Sequence, residues 1–176
     1  LDKKTLKNVS VAIFHGKPSI PFRHMSDVRR ILGKNVTIIF DPGQNMALYT
    51  KDIFEKCLAL SDIFIVNDIE LGQALTILQC TGDDIFKFGV EAFIETKGED
   101  GSVIHEEGKT TSIPARKAKR GGETTGAGDA YRAGLMYGLL EGLDLAAACG
   151  IGSYLGSKNV ETIGWQAYMV SRGEVL

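Results

Sequence analysis

Short apolar runs alternate with amphipathic stretches over the first half of the chain. Val9-Ser10-Val11-Ala12-Ile13-Phe14, Val36-Thr37-Ile38-Ile39-Phe40, Ile63-Phe64-Ile65-Val66 and Ala92-Phe93-Ile94-Glu95-Thr96 are rich in β-branched and aromatic residues and end in turn-forming or polar ones. That is the pattern of buried strands. From about Phe22 to Leu32, Met25, Val28, Ile31 and Leu32 recur at helical spacing with Arg23, Asp27, Arg29 and Arg30 between them, and Gly33 ends the run. This predicts a surface helix, and further helices are expected over about 51–60 and 71–78. Three strand-then-helix units in succession imply a parallel sheet with helices packed on its faces. In such sheets ligands bind outside the carboxyl ends of the strands. His15, the Asp41-Pro42-Gly43-Gln44 turn and Asn67-Asp68-Ile69-Glu70 are therefore expected on one rim.

The second half reads differently. Residues 102–105 and 109–113 suggest an antiparallel hairpin across Glu106-Glu107-Gly108. Two helices, about 128–140 and 145–159, close the chain, separated by Gly142 and Asp144. Lys117-Ala118-Lys119-Arg120-Gly121-Gly122 combines a charge run with paired glycines and reads as a mobile loop.

At 176 residues the chain is expected to form one domain, residues 1–176. An apolar share of 44%, a charged share of 24% and a net charge of −2 carry no footprint for nucleic acid or an anionic membrane. With no long apolar run and no signal-type core, a cytoplasmic location is expected. Leu1 is not an initiator Met, which suggests a start inside a longer protein. Cys57, Cys80 and Cys149 lack metal-site or disulfide spacing and read as buried thiols. Asn8-Val9-Ser10 and Asn35-Val36-Thr37 match the glycosylation pattern but fall on expected strands or their edges.

The chemistry concentrates in Glu123-Thr124-Thr125-Gly126-Ala127-Gly128-Asp129-Ala130, followed by an apolar helical run. Two glycines flanking a small residue at a helix start let several N–H groups converge on an anion. Asp129, in the first turn, would lie beside that anion, placed to take a proton from an attacking hydroxyl, an arrangement suited to phosphoryl transfer. The same residues also make an ordinary capped helix start.

Taken together with Asn67-Asp68-Ile69-Glu70 and Thr96-Lys97-Gly98-Glu99-Asp100-Gly101, the Thr125-Gly126-Ala127-Gly128-Asp129-Ala130 stretch resembles the signature set of the ribokinase or PfkB family of carbohydrate and nucleoside kinases. Phe40-Asp41-Pro42-Gly43-Gln44, Gly128-Asp129-Ala130-Tyr131-Arg132-Ala133-Gly134 and Glu161-Thr162-Ile163-Gly164-Trp165-Gln166 are similar to its adenosine-kinase-like and archaeal-type nucleoside kinase members. The resemblance implies a ribokinase-like three-layer α/β/α fold with a mainly parallel central sheet. It covers about the later three-fifths of a usual member, without the amino-terminal part and lid.

It also implies transfer of the γ-phosphoryl of ATP to a primary hydroxyl of an adenosine-like nucleoside or a sugar. Asp129 would be the base, with Gly126, Ala127 and Gly128 forming the anion hole. Asn67, Thr96, Gly98, Gly101 and Ser153 would bind nucleotide, and Glu70 would order the water shell of Mg²⁺. His15, Asp41 and Gln44 are candidates to face substrate or phosphate. Glu123 stands where the family usually has Asp, a position that in many members helps hold a monovalent cation; this departure argues against potassium dependence. The alternatives are a sugar kinase of fructokinase or ribokinase type and a non-catalytic nucleotide-binding or scaffold module. A dinucleotide oxidoreductase lacks its Gly-x-Gly-x-x-Gly after an early strand. The partners implied are ATP and a small acceptor, with a second copy or a missing amino-terminal half pairing on an exposed sheet edge.

Overall fold

The computed structural model describes residues 1–119, 121–164 and 167–175. Of the residues read above, Arg120, Trp165 and Gln166 lie outside these. The chain forms two compact units, one of Leu1–Thr96 with Val103–Thr110, the other of Lys97–Ser102 with Thr111–Leu176.

In the first unit, β1 (Val11–His15), β2 (Thr37–Asp41), β3 (Ile63–Asn67) and β4 (Ala92–Thr96) lie side by side. All three neighbouring pairs are parallel, as the repeated strand-then-helix pattern requires. β5 (Ser102–Glu106) and β6 (Lys109–Ile113) continue the order to six strands, joined by a two-residue turn that only antiparallel partners permit. The result is the mixed, mainly parallel α/β sheet expected.

The connecting helices are α1 (Ser19–Leu32), α2 (Lys51–Leu60) and α3 (Asp68–Leu78). α1 starts three residues before the predicted point: Pro21 sits in its first turn, where no intrahelical N–H is needed. α3 also starts three residues early, because Asn67 and Glu70 cap it reciprocally. Three 3-10 turns, Gly43–Leu48, Gly82–Phe88 and Gly98–Asp100, were absent from the sequence reading. Phe40, Phe54 and Phe64 pack ring on ring at 5.5–5.8 Å, all fully buried, and Tyr49 meets Phe54 edge-on.

The amino-terminal edge of this sheet turns on one buried carboxylate. Asp62 Oδ2 accepts from the Ile38 N–H and from Arg29 Nη2, each at 2.7 Å, while Oδ1 accepts from Lys34 Nζ. Its own N–H donates to the Ile38 carbonyl, and its carbonyl accepts from the Glu91 N–H. Arg29 also donates to the carbonyls of Leu60, Gly33 and Val36. The lead-ins to β2, β3 and β4 are thus fastened together, and α1 is stapled to them. Burial pushes the Asp62 carboxyl up, but the Ile38 N–H, Lys34 and Arg29 outweigh it and hold the group below its ordinary value.

The second unit is built on α4 (Ala127–Leu140) and α5 (Leu145–Val160), which run antiparallel. Their contact is made by backbone. A Cβ on Gly134 would lie 2.7 Å from the Gly152 Cα, one on Gly138 would lie 2.6 Å from the Ala148 Cα, and one on Gly152 would lie 2.8 Å from the Tyr131 carbonyl oxygen. No larger residue fits along this seam. Asp144 caps α5 by accepting from the Ala147 N–H at 2.8 Å. Cys57 and Cys149 are buried and Cys80 partly so, and burial raises the Cys57 thiol to about 12 and the Cys149 thiol to about 11.

Two outcomes follow for stability. Gly134→Val, which a helix tolerates by propensity, should destabilise the chain by about 1–3 kcal/mol through overpacking against Gly152, seen as a lower urea midpoint. Asp62→Asn should cost about 3 kcal/mol at pH 7, because it leaves the partly buried Arg29 without its anion. Because the folded Asp62 pKa lies below the unfolded one, its contribution is full above the unfolded value near 3.8 and disappears as pH falls through the folded value. Urea titrations of wild type and variant should therefore converge as the pH is lowered into that range.

Candidate functional site

Parallel strands place their carboxyl ends together, so the first unit carries His15, Asp41 and Asn67 along one rim, as anticipated, and Thr96 joins them there. His15 is level with Asp41, and Asn67 with Thr96. Asp41 is fully buried, and its Oδ2 lies 3.4 Å from the exposed His15 Nδ1. Gly43, at φ +51°, passes under that ring: a Cβ there would lie 2.1 Å from His15 Cε1. Gln44 is exposed on the following turn.

Asn67 and Glu70 form a closed capping box. The Glu70 N–H donates to Asn67 Oδ1 at 2.8 Å, and the Asn67 N–H donates to Glu70 Oε2 at 2.9 Å. The box leaves the Asn67 amide NH₂ and the second Glu70 oxygen outside it, and Glu70 is buried. Thr96 Oγ1 donates to the Val66 carbonyl, which ties the end of β4 to β3.

In the second unit, Gly98 and Gly101 bracket one tight turn closed by the Lys97 N–H donating to the Gly101 carbonyl at 2.7 Å. Both have positive φ, but their surroundings differ. A Cβ on Gly101 would strike the Ile113 carbonyl oxygen at 2.2 Å, whereas nothing lies within 4 Å of one on Gly98. Gly101 is thus required by packing, while Gly98 leaves its backbone open to approach. Ser153, on α5, accepts from the Arg116 N–H at 2.8 Å and donates to the Pro114 carbonyl. The same segment sets the Arg116 guanidinium over the Tyr154 ring, 4.8 Å from its centroid.

The start of α4 places Asp129 in the first helical turn, as the sequence suggested. Gly126 is its left-handed N-cap at φ +85°, without a side-chain cap. The Ala127 N–H turns back to the Thr124 carbonyl at 3.1 Å. The N–H groups of Gly128 and Asp129 occupy the first turn, where a helix offers no carbonyl partner. The Asp129 side chain is 86% exposed, and Arg132 Nη1 lies 3.2 Å from its Oδ1. Glu123 is exposed on the approach to this turn.

Two residues beside this turn carried no functional expectation. Arg132 approaches Asp129 and also lies beneath Gly128, whose added Cβ would fall 2.9 Å from Nη1; its i,i+3 spacing from Asp129 was the available signal. Asn159, near the end of α5, donates from Nδ2 to the Thr125 carbonyl at 2.8 Å. Only the pairing of the two helices reveals it. The segment read as a mobile loop is held at two points: the Lys119 N–H donates to Glu161 Oε1, and Gly122 abuts the Val160 carbonyl. Among the described residues, no three His, Cys, Asp or Glu side chains are grouped to hold a metal ion by themselves. None of the described helices is long and apolar enough to cross a membrane.

Residues 2–171 match the pfkB family carbohydrate kinase model, and the chain belongs to that family. A nucleoside kinase of Methanocaldococcus jannaschii is 32% identical over 169 residues, which cover 96% of this chain and 55% of the relative. A nucleoside kinase of Burkholderia thailandensis, solved in complex with inosine, matches with a TM-score of 0.86 at 32% identity over 96% of this chain and 54% of that one. Its form in complex with ADP-inosine gives 0.87, at 32% identity over 96% and 52%. A ribokinase of Thermotoga maritima, 22% identical, shares the fold with a TM-score of 0.81 over 99% of this chain and 58% of that one. The chain spans about half the length of the curated relatives it matches.

The capping box makes a separable prediction for Asn67. Asn67→Ala should lower stability by about 1 kcal/mol through loss of the cap, while Asn67→Asp, an equally good cap, should hold it. Urea unfolding of the three forms checks this, and equal midpoints for Asn and Ala would show that the box contributes nothing.

Proposed function

We propose that this chain is the phosphoryl-transfer part of an ATP-dependent kinase acting on a primary hydroxyl of a nucleoside, with a sugar as the second acceptor class. The observation that carries the reading is the start of α4, where first-turn N–H groups adjoin an exposed carboxylate with an arginine beside it. The family membership, and relatives solved with inosine and ADP-inosine, support the nucleoside acceptor and the ATP donor.

Asp129 acts as general base on the acceptor hydroxyl, a role that contributes about 10²- to 10⁴-fold. The Gly128 and Asp129 N–H groups, with Gly126 and Ala127 shaping the turn, stabilise charge on the transferred group as preorganised donors. Arg132 orients the Asp129 carboxylate. The open backbone at Gly98 serves nucleotide approach, with Thr96 and Gly101 fixing the ends of that turn. Ser153 organises the Pro114–Arg116 segment through its two hydrogen bonds.

Mg²⁺ belongs to this reading through Glu70 and Asn67. The Glu70 oxygen outside the capping box suits an ion that keeps most of its waters and is bound by one or two carboxylates plus phosphates, while the Asn67 NH₂ can donate to a phosphate or water oxygen beside it. When bound, it neutralises phosphate charge. A neutral amide donor on the Thr125 carbonyl, with Glu123 exposed, supports turnover without potassium.

The test is ADP formation from ATP and Mg²⁺ with adenosine, other nucleosides, ribose and fructose. Asp129→Asn should lose about 10²- to 10⁴-fold in rate while its urea midpoint is unchanged. Near-normal turnover in that variant would refute the base assignment. ATP binding without turnover on any acceptor would instead mark the chain as a nucleotide-binding module.

A further inference from the structure

We propose that Asn159 is a positioning residue for phosphoryl transfer: from the carboxyl end of α5, its amide grips the Thr125 carbonyl and so sets where the first-turn N–H groups of α4 point. The inference rests on the reading of that turn as the phosphoryl site.

Asn159 is 3% exposed, and its side chain reaches the loop itself. Nδ2 donates to the Thr125 carbonyl at 2.8 Å, and because a carbonyl can only accept, this partner fixes which end of the amide faces it. Oδ1 lies against Gly126, where an added Cβ would come within 3.3 Å. The amide is therefore wedged across the peptide that precedes the left-handed N-cap. Rotation of that peptide would swing the N–H groups that follow it. The backbone of Asn159 is fixed in turn, its carbonyl accepting from the Thr162 N–H at 3.1 Å.

The two neighbouring contacts repeat the pattern. Glu161 holds the Lys119 N–H, and the Val160 carbonyl meets Gly122, where a Cβ would lie 2.1 Å away. Three successive residues at the end of α5 thus hold three points on the segment leading into α4. Of these, only Asn159 touches the peptide next to the anion turn. It contacts no reacting atom, so its influence is on geometry.

The distinction matters for what a variant does. Asn159→Ala removes the donor and frees the Thr125 peptide. Asn159→Asp keeps the shape but sets an acceptor against an acceptor, so it should perturb the turn at least as much as Ala despite its closer size. A role limited to filling space would give the reverse order.

The experiment compares wild type, Asn159→Ala, Asn159→Asp and Asp129→Asn in the 176-residue chain. ADP affinity is read by calorimetry, and kcat and KM with adenosine by ADP formation. Asn159→Ala should weaken ADP binding and lower kcat by about tenfold each, the scale of one neutral hydrogen bond. The adenosine KM should move less than about threefold, and Asn159→Asp should be no better than Ala. Unchanged ADP affinity and kcat in Asn159→Ala, or an Asp variant close to wild type, overturns the proposal. Asp129→Asn separates the two readings: it should lose kcat but keep ADP affinity, and if it keeps kcat, the base assignment fails while the Asn159 result stands. Amide exchange over residues 121–128 gives a readout that needs no turnover. Exchange about tenfold faster in Asn159→Ala supports the proposal, and equal exchange overturns it.

Discussion

The second unit depends on two antiparallel helices that approach more closely than side chains allow. Gly134 and Gly138 on α4 meet Gly152 and Ala148 on α5 at distances where a Cβ would collide with backbone. Because the helices run in opposite directions and in fixed register, this contact also decides what meets at their ends. The amino terminus of α4 is set beside the carboxyl terminus of α5, so Ala127 comes alongside Gly156 and Gly126 alongside Asn159. The chemistry assigned to Asp129 and to the first-turn N–H groups depends on a seam that reaches about two and a half turns further along α4.

The first unit has an analogous dependence on a charge. Asp62 accepts from a strand N–H, an arginine and a lysine at the amino-terminal edge of the sheet, where it aligns the beginnings of β2 and β3 and receives α1 through Arg29. A buried carboxylate with several donors is costly to break but also specific in geometry. Strands that start together and run parallel deliver Asn67 and Thr96 at the same level on the opposite edge. The polar rim is thus a consequence of how the strands begin.

Much of this was legible in the sequence. Strands with apolar interiors declared themselves by composition, and their polar ends by abrupt change, as at Phe40-Asp41 and Val66-Asn67. The signature stretches added the family to which the chain belongs. The errors were local: α1 and α3 begin earlier than apolar periodicity suggested, because Pro21 is acceptable in a first turn and the Asn67–Glu70 box starts a helix before its apolar stripe does. What could not be read was tertiary. Asn159 resembles any polar residue near a helix end until the helices are paired. Glycines are poor helix formers, and only the seam shows why larger residues are excluded at those of α4 and α5.

From Lys119 onward, the hold of α5 on the segment before α4 is on main chain: the Lys119 N–H, the Cα of Gly122 and the Thr125 carbonyl. None of these contacts reads a loop side chain larger than hydrogen. Residues of that segment other than glycine can therefore change identity without losing these anchor points, while the specificity of the hold resides in α5. The geometry of the turn is thus set from elsewhere in the chain, and the side chains of Lys119 and Thr125 are left out of the contacts that set it.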